Sequence, residues 1–496
     1  MLSQLPLRPL KSIPNYSCRK MNFSLNLSFI HLFGRCSLPH LYKKGVRLIG
    51  STRSTLVLNG RKAQGNPMTL AEQLRSRIQI RGPITVADYM RAVLTSPSGG
   101  YYMHRDVLGR QGDFTTSPEI TQLFGDMVGI WFINEINKFH PPSQPVQLVE
   151  LGPGRGSLTA DVLKVFKHLR GKEGLSVHLV EISPEFSRIQ AEKLCERSSI
   201  EICIQAASHS QSENKPGGRQ YQIDRGSDSS KGSSFGTITV GRPRNLPKKS
   251  DAKHYQKGIM KDGTPVFWYY SLNEVPHNFS CFLAHEFFDA LPVHKFKKTP
   301  EGWREILITN DPDKGPDHFK FIISRSGTPA SKVFMKPWDE RTEAEICPDT
   351  GLIGQQIATR LEESGGTGLV VDYGHEGECN DTFRAFKNHK QVDPLICPGS
   401  ADLTADVDFS YLRNSVIDKN VTFGPVSQSH FLKQIGIDLR LQILLDEYPE
   451  DQKPHLQSGY DMIMNSMGER FKFFAMFPNV LQDHLKKYPV AGFHKS

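Results

Sequence analysis

The first 71 residues contain no Asp or Glu; the first acid is Glu72. The same stretch holds eleven Lys and Arg residues, whereas residues 72–496 carry 50 basic against 52 acidic side chains. A basic, acid-free N-terminus rich in Ser and Leu is typical of an organelle transit peptide. We therefore predict a mitochondrial transit peptide and disordered leader over residues 1–67. A disordered basic tail and a secretory signal are the alternatives.

Other features that the sequence lacks exclude several classes of protein. No run of 18 apolar residues occurs, so we predict no membrane span. The eight cysteines form no Cys-x-x-Cys pair and no zinc spacing, which excludes a disulfide scaffold and leaves no metal site to predict. The six cysteines beyond the leader are interpreted as buried and reduced. The basic residues there form no stripe interleaved with aromatics, so we predict no nucleic-acid partner.

Helix and strand signals alternate along the middle of the chain. Thr69-Leu-Ala-Glu72 is a capping box that starts a helix. A short helix is predicted near Thr85–Leu94 and a long one from an N-cap at Ser117 to about Phe139. The alternation that follows predicts a parallel, doubly wound α/β sheet, with strands at Val146–Leu151 and Val177–Ile182 and helices at Ser157–Leu169 and Pro184–Cys195.

A polar segment interrupts this pattern. Residues 206–258 are rich in Ser, Gly, Lys, Arg and Asn and poor in Leu and Val, so we predict a disordered surface insertion, with a basic interaction loop as the alternative. Further strands and helices are predicted beyond it. The strands are at 265–270, 279–284, 303–309, 318–323, 368–373 and 471–477, and the helices at 353–362, 430–434, 439–445 and 459–464.

A glycine-rich turn joins the first strand to its helix. Gly152, Gly154 and Gly156 follow the G-x-G-x-G spacing, not the G-x-G-x-x-G of the dinucleotide fingerprint. No Lys-Ser or Lys-Thr follows, so the turn is not an ATP-binding P-loop. Glu150 precedes the turn, where a carboxylate repels a pyrophosphate but suits a ligand with ammonium and sulfonium groups. These groups belong to S-adenosyl-L-methionine.

Glu181 closes the next strand and would accept hydrogen bonds from both ribose hydroxyls. The alternative is that Glu150 and Glu181 are acids of helix caps or ion pairs. His285, Glu286 and Asp289 follow the strand at 279–284, at the edge of the sheet that lines the ligand crevice. Carboxylates there would hold a guanidinium or an amine. The alternative is a capped helix start.

Two further acidic segments are chemically dense. Asp372 ends the strand at 368–373, and the segment 399–409 contains three acids, Asp402, Asp406 and Asp408. Such a cluster could hold a cation, but for Asp406 and Asp408 we favour capping or hydrogen bonding.

These motifs together resemble the MidA-like family of mitochondrial class I methyltransferases, which are complex I assembly factors and protein arginine methyltransferases. The resemblance runs from about Met68 to Pro478. The stretches that carry it include GGYYMHRD, GDFTTSPEITQLFGDMVGIW, LVELGPGRGSLTADVL, LVEISP, AHEFFDALPVHKF, VVDYGH, DTFRAFKNH, PGSADLTADVDFSYL and MGERFKFFAMFP.

The resemblance implies an α/β, Rossmann-like, class I S-adenosyl-L-methionine-dependent methyltransferase core with additional helices and strands. It also implies symmetric dimethylation of an arginine in the 49-kDa-type core subunit of complex I, in the mitochondrial matrix. The domains would be an N-terminal helical region contributing to the cofactor site (68–145), the methyltransferase domain with C-terminal additions (146–205 and 259–480) and a C-terminal tail (481–496). The expected cofactor contacts are Glu150, Gly152, Gly154, Gly156, Glu181 and the loop Gly112, Asp113, Phe114 and Thr115; the expected catalytic residues are Glu286, Asp289, His285 and Asp372.

The chain departs from this family in one clear place. Relatives run more directly from the helix after Glu181 to the strand at 265–270, so much of residues 206–258 looks inserted. The His285–Glu286 pair also differs from the double-Glu loop of the major arginine methyltransferases. A non-catalytic assembly factor that keeps the fold is the rival hypothesis, and an NAD-linked oxidoreductase is disfavoured by the glycine spacing.

Overall fold

The computed structural model describes residues 68–104, 106–107, 116–203, 254–337, 339–379 and 381–494. The predicted leader (1–67), the predicted cofactor loop Gly112–Thr115 and residues 206–253 of the predicted insertion lie outside the described residues.

The described strands fall into three sheets. In chain order they are β1 Ile84–Thr85, β2 Val146–Leu151, β3 Leu175–Val180, β4 Glu201–Ile202, β5 Gln256–Ile259, β6 Pro265–Tyr269, β7 Ser280–His285, β8 His294–Thr299, β9 Gly302–Asn310, β10 Phe319–Ile323, β11 Glu343–Ile346, β12 Gly366–His375, β13 Arg384–Lys387, β14 Lys390–Val392, β15 Asp402–Thr404, β16 Val407–Asp408, β17 Asn420–Ser427 and β18 Phe471–Pro478.

Helices cover the sheets. In chain order they are α1 Leu70–Arg81, α2 Val86–Thr95, α3 Ser117–Ile120, α4 Gln122–Ile136, α5 Ser157–Arg170, α6 Pro184–Leu194, α7 Pro329–Phe334, α8 Pro348–Ser364, α9 Phe409–Val416, α10 Gln428–Gln434, α11 Ile437–Glu447, α12 Lys453–Asp461 and α13 Gln482–Lys487. Short 3₁₀ turns occur at Arg197–Ser199, Leu272–Glu274 and Asn479–Leu481, and one π-helical turn at Met462–Ser466. No helix among the described residues is both long and apolar enough to cross a bilayer.

The largest sheet has the order β17-β18-β12-β7-β2-β3-β6-β5-β4, with β16 added beside β12. Strands β12, β7, β2, β3 and β6 pair in parallel, whereas β18 is antiparallel to both of its neighbours. Strand order reverses between β2 and β7, and a ligand crevice lies outside the carboxyl ends of the strands at such a switch point. The fold is therefore the expected Rossmann-like α/β architecture.

The core of this sheet is built from both of its faces. One apolar cluster joins α4 and α5 to the sheet through Phe124, Trp131, Phe166 and Phe473. The second face packs under α8 and α9 through Ile357, Leu361 and Phe409. Strand β2 is buried along its whole length and pairs with β3 on one side and β7 on the other. These two neighbours fix the position of the turn that follows β2.

Two smaller antiparallel sheets extend the core. One has the order β1-β9-β8-β11, with β10 also paired to β9, and the other has the order β14-β13-β15. A separate apolar cluster, which includes Tyr89, Met90, Phe186 and Leu403, joins α1 and α2 to these additions and to α6. The N-terminal region thus packs beside the helix that follows the second core strand.

Several local predictions are confirmed. Thr69 and Glu72 form both hydrogen bonds of the capping box. β2 has its predicted bounds, and Ser183 caps α6 by accepting from the N–H of Phe186. Asp408 caps α9, and Asp406 accepts from Arg384 Nη2 at 2.5 Å, so both acids have the favoured capping and hydrogen-bonding roles.

Other predictions are wrong. The helix predicted from Ser117 to about Phe139 is two helices, since Thr121 is extended and its side chain accepts from Leu123 N to start α4. The N-cap of α3 is Thr116, and the Ser117 hydroxyl instead lies 3.7 Å from Met467 Sδ. Two cysteines interpreted as buried are exposed, Cys379 and Cys397.

The boundaries of the predicted insertion and of the predicted C-terminal tail also differ from those in the structure. Strand β5 begins inside the predicted insertion, because Gln256 and Lys257 pair with β6. The predicted tail over 481–496 contains α13, and its Val490 is buried. The Trp131 indole donates to the carbonyl of Ala491 at 3.0 Å, which ties this last segment to α4.

Candidate functional site

The candidate site is a cavity of about 210 Å³ at the carboxyl ends of β2, β3 and β7. It lies at the switch point, where the topology predicts a ligand. Seven of the sequence-predicted site residues line it: Glu150, Gly152, Gly154, Glu181, His285, Glu286 and Asp289. Gly156 and Asp372 do not line it, and Gly112, Asp113, Phe114 and Thr115 lie outside the described residues.

The glycine turn after β2 forms one wall. Gly152, Gly154 and Gly156 all have positive φ, at 62°, 53° and 75°, a region that L side chains rarely adopt. A Cβ at Gly152 would lie 2.9 Å from Cδ2 of Phe287. Gly156 is the N-cap of α5; it belongs to the turn but does not line the cavity. The turn is therefore a backbone cradle in which a side chain at Gly152 would not fit without moving Phe287.

Two buried glutamates flank the turn. Glu150 accepts from the hydroxyl of Thr159, and burial raises the pKa of Glu150 to about 7. Glu181 accepts from Ser183 N at 2.7 Å, and burial raises its pKa to about 7 as well. Both acids line the cavity, where a cationic or hydroxyl-bearing ligand would stabilise their ionised forms.

Gln190 connects these parts of the site. Its Nε2 donates to the carbonyl of Gly154 at 2.6 Å and to Glu181 Oε2 at 3.0 Å, and its Oε1 accepts from Trp268 Nε1 at 2.8 Å. Gln190 is fully buried in α6. No sequence signal predicts this role for Gln190, because a glutamine inside a helix carries no motif of its own.

A second group of acids closes another part of the cavity. Glu286 has a positive φ of 48°, and its Oε1 is buried with no hydrogen-bond partner; Oδ1 of Asp289 is in the same state. Burial, and then the charges of Asp289 and Asp402, raise the pKa of Glu286 well above its ordinary value. Burial raises the pKa of Asp289 to about 6, and Thr404 donates to its Oδ2 at 2.9 Å.

His285 lies between this group and the aromatic core. Its Nε2 is 3.7 Å from Glu286 Oε1 and has no hydrogen-bond partner. The ring stacks parallel to Phe471 and meets Phe124 edge to face. Burial lowers the pKa of His285 to about 3, so the imidazole is neutral at physiological pH.

Asp372 lies beneath the loop that carries Glu286 and Asp289. Its Oδ2 accepts from the backbone N–H groups of Phe287, Phe288 and Asp289 at 3.2, 2.9 and 3.3 Å, and its Oδ1 accepts from its neighbour Tyr373 at 3.0 Å. Both of its carboxylate oxygens thus accept from backbone N–H groups, and Asp372 holds the loop in shape from outside the cavity.

Further residues that line the cavity were not predicted as site residues. Arg155, in the glycine turn, donates from Nε to both oxygens of Asp106 at 2.9 Å and from Nη1 to Glu119 at 3.4 Å. Tyr102 and Asp402 line the cavity from two other parts of the chain. Among the described residues no group of three or more His, Cys, Asp or Glu is arranged to hold a metal ion.

The residues fit S-adenosyl-L-methionine. Gly152 and Gly154 border the cavity without side chains, two buried acids flank the turn, and Glu286 and Asp289, each with an unpartnered acceptor atom, line the same cavity. These features suit a ligand with an ammonium, a sulfonium and a ribose, and they disfavour a pyrophosphate.

Comparison with known proteins agrees with this fit. A family model described as "Putative S-adenosyl-L-methionine-dependent methyltransferase" matches residues 127–426. The chain is 43% identical over 452 residues to mouse (Mus musculus) "Protein arginine methyltransferase NDUFAF7, mitochondrial", covering 87% of this chain and 92% of that protein. Its Homo sapiens counterpart is 44% identical, covering 85% and 86%, and the Drosophila melanogaster homolog is 44% identical, covering 87% and 90%.

Solved structures share the fold. A Burkholderia thailandensis chain with S-adenosyl-homocysteine bound superposes with a TM-score of 0.59 at 20% identity, covering 82% of this chain and 91% of that one. A native crystal structure from the same organism gives a TM-score of 0.57 at 21% identity. With these likenesses, the chain belongs to this family of S-adenosyl-L-methionine-dependent methyltransferases, and S-adenosyl-L-methionine is its cofactor.

Proposed function

We propose that this chain is a mitochondrial protein arginine methyltransferase. The observation that carries the proposal is the pair of carboxylates Glu286 and Asp289, which line the same cavity as the glycine turn and each have a buried oxygen without a hydrogen-bond partner. A guanidinium is the protein cation that offers several N–H donors to such oxygens. The names of the curated relatives, which include both "arginine" and "mitochondrial", support the same conclusion.

The cofactor half of the reaction uses the glycine turn and the two glutamates. When bound, S-adenosyl-L-methionine supplies an electrophilic methyl group on a sulfonium. We assign the ribose hydroxyls to Glu181 and the ammonium to Glu150. Gly152, Gly154 and Gly156 let the main chain approach the ligand, and Gln190 holds Glu181 and the carbonyl of Gly154 in fixed relation.

The substrate half uses the loop after β7. Glu286 and Asp289 would accept hydrogen bonds from the guanidinium and localise its charge, which leaves the attacking nitrogen more nucleophilic. Neutral His285 borders Glu286 and limits the positions that its carboxylate can take. Asp372 is a positioning residue, since it acts through the backbone of Phe287, Phe288 and Asp289. Holding both reactants in line is the main catalytic task here.

We further propose the finer identity of the substrate. The enzyme would dimethylate symmetrically an arginine of the 49-kDa-type core subunit of complex I, in the mitochondrial matrix, and thereby support complex I assembly. The acid-free leader and the resemblance to the MidA-like family support this assignment. The rival is an assembly factor that keeps the fold and holds its partner without methylating it.

Mass spectrometry of the partner subunit tests these proposals. Purified enzyme, S-adenosyl-L-methionine and recombinant 49-kDa-type subunit should yield symmetric dimethylarginine, and Glu286→Gln should slow the reaction about 100-fold because the guanidinium is misplaced. Glu450→Gln, at an exposed glutamate that does not line the cavity, is the matched control. Unmodified arginines with enzyme that is folded and binds cofactor would favour the assembly factor, and asymmetric dimethylarginine would overturn the assignment of symmetry.

A further inference from the structure

A third acid reaches the cavity from a separate part of the chain. Asp402 is the first residue of β15, and Tyr102 lies in the turns after α2; both line the cavity together with Glu286 and Asp289. The Tyr102 hydroxyl donates to Asp402 Oδ1 at 2.7 Å. This bond fixes the carboxylate of Asp402 against the cavity wall.

The acids of this region lie close enough to affect one another. After burial, the neighbouring charges that raise the pKa of Glu286 are those of Asp289 and Asp402. After burial, the same two aspartates raise the pKa of the Tyr102 phenol. Three carboxylates from two chain segments therefore converge on one part of the cavity, where their mutual repulsion favours a bound cation.

Unpartnered atoms in the cluster indicate that it receives a ligand. Oδ1 of Asp289 has no hydrogen-bond partner although the residue is only 8% exposed, and Oε1 of Glu286 also has none. A buried acceptor without a donor is unfavourable, so a donor-rich group is expected there. A guanidinium offers five N–H donors in a plane and can serve more than one carboxylate at once.

Tyr102 also connects the acids to the cofactor half. Ser183 donates from its hydroxyl to the carbonyl of Tyr102 at 2.6 Å, and its N–H donates to Glu181 at 2.7 Å. The chain of contacts from Glu181 through Ser183 and Tyr102 reaches Asp402. The position of Asp402 is thereby set relative to the cofactor-binding strand β3.

We propose that Asp402, held by Tyr102, is a third substrate-binding carboxylate that completes the guanidinium site with Glu286 and Asp289. The inference rests on the proposed function, and it adds two residues to it: Asp402 as a binding residue and Tyr102 as a positioning residue that acts through Asp402.

Steady-state kinetics on the recombinant 49-kDa-type subunit test the pair. Asp402→Asn should raise KM for the protein substrate about 10- to 100-fold with little change in kcat, since it removes a charged hydrogen-bond acceptor that binds ground and transition states alike. Tyr102→Phe should raise KM about 2- to 10-fold. The double variant should be no worse than Asp402→Asn alone, because Tyr102 acts through that acid.

A second Tyr–Asp pair provides the matched control. Tyr460 donates to Asp438 Oδ1 at 2.5 Å, and neither residue lines the cavity. Tyr460→Phe and Asp438→Asn should leave KM unchanged. An unchanged KM in Asp402→Asn would overturn the inference. A parallel loss of kcat and of affinity for S-adenosyl-homocysteine would also overturn it, because such a loss indicates a structural role for Asp402. Additive effects of the two changes would overturn the positioning role of Tyr102.

A binding measurement separates this inference from the proposed function. If the wild-type enzyme methylates no protein arginine, calorimetry with N-ethylguanidinium, in the presence of S-adenosyl-homocysteine, still decides the role of Asp402. Binding by wild type that is lost in Asp402→Asn would support a guanidinium site that includes this acid. Absence of binding by the wild type, or equal binding by both proteins, would overturn it.

Discussion

Replacing Gly152 with alanine tests how closely the turn after β2 is fitted to its surroundings. At φ 62° an L-residue is disfavoured by about 1–2 kcal/mol. The new Cβ would lie 2.9 Å from Cδ2 of Phe287, so the ring must move, which costs about 1–3 kcal/mol more. We expect the free energy of unfolding to fall by about 2–5 kcal/mol. Cofactor binding should weaken too, because Gly152 and Phe287 both line the cavity.

The matched control for Gly152→Ala is Gly436→Ala. Gly436 has a φ of 89°, and a Cβ there would meet nothing within 4 Å. It therefore carries the backbone strain without the contact, and we expect a loss of only about 1–2 kcal/mol. Urea unfolding would give the two free energies, and calorimetry with S-adenosyl-homocysteine the two affinities. Equal losses of stability, with cofactor affinity unchanged in Gly152→Ala, would refute the fitted cradle.

Two further predictions concern the cofactor half. Gln190→Leu should lower the free energy of unfolding by about 2–5 kcal/mol, since it leaves Trp268 Nε1 and two acceptors without partners, and it should weaken cofactor binding in calorimetry. Gln428→Leu, at a buried glutamine outside the cavity, should lower stability alone. Burial raises the pKa of Glu181 to about 7, so its carboxylate forms as pH rises from 6 to 8, and affinity for S-adenosyl-L-methionine should increase across that window. Glu181→Gln should give a flatter profile, and an equally steep one would contradict the assignment.

The first half of the core could be predicted from the sequence because its signals are local. The apolar run of β2, the glycine turn and the cap of α6 by Ser183 each depend on a few neighbouring residues. Glu150 and Glu181, which we propose as cofactor contacts, were selected for their places at strand ends, and the parallel pairing of β2 with β3 brings both to one cavity.

Strand β8 of the five-stranded sheet could not be predicted in the same way. It spans His294–Thr299 and contains three lysines, a composition typical of a polar loop. In the structure Lys295 and Lys297 face Glu345 and Glu343 on β11 and form ion pairs with them at 2.8 and 2.7 Å. The stabilising partner lies about fifty residues away, so no window of sequence contains the signal.

The roles of the acids depended on register for the same reason. Asp372 lies within β12, and Asp289, the same residue type, lies in the loop after the neighbouring strand β7. Val371 pairs with His285, and that register puts Asp372 under the backbone of residues 287–289 while Asp289 lines the cavity. Composition alone could not separate an acid that holds a loop from one that lines the cavity.

The charge distribution of the chain and the raised pKa values of the acids in the cavity both suit a cationic ligand. The excess of bases belongs to the acid-free leader and to residues 206–264, whereas the rest carries 39 basic against 47 acidic side chains. Within the cavity, burial makes ionisation of Glu150, Glu181, Glu286 and Asp289 unfavourable until a cation or hydroxyl donor arrives. Such a cavity favours a sulfonium donor and a guanidinium substrate over their neutral analogues.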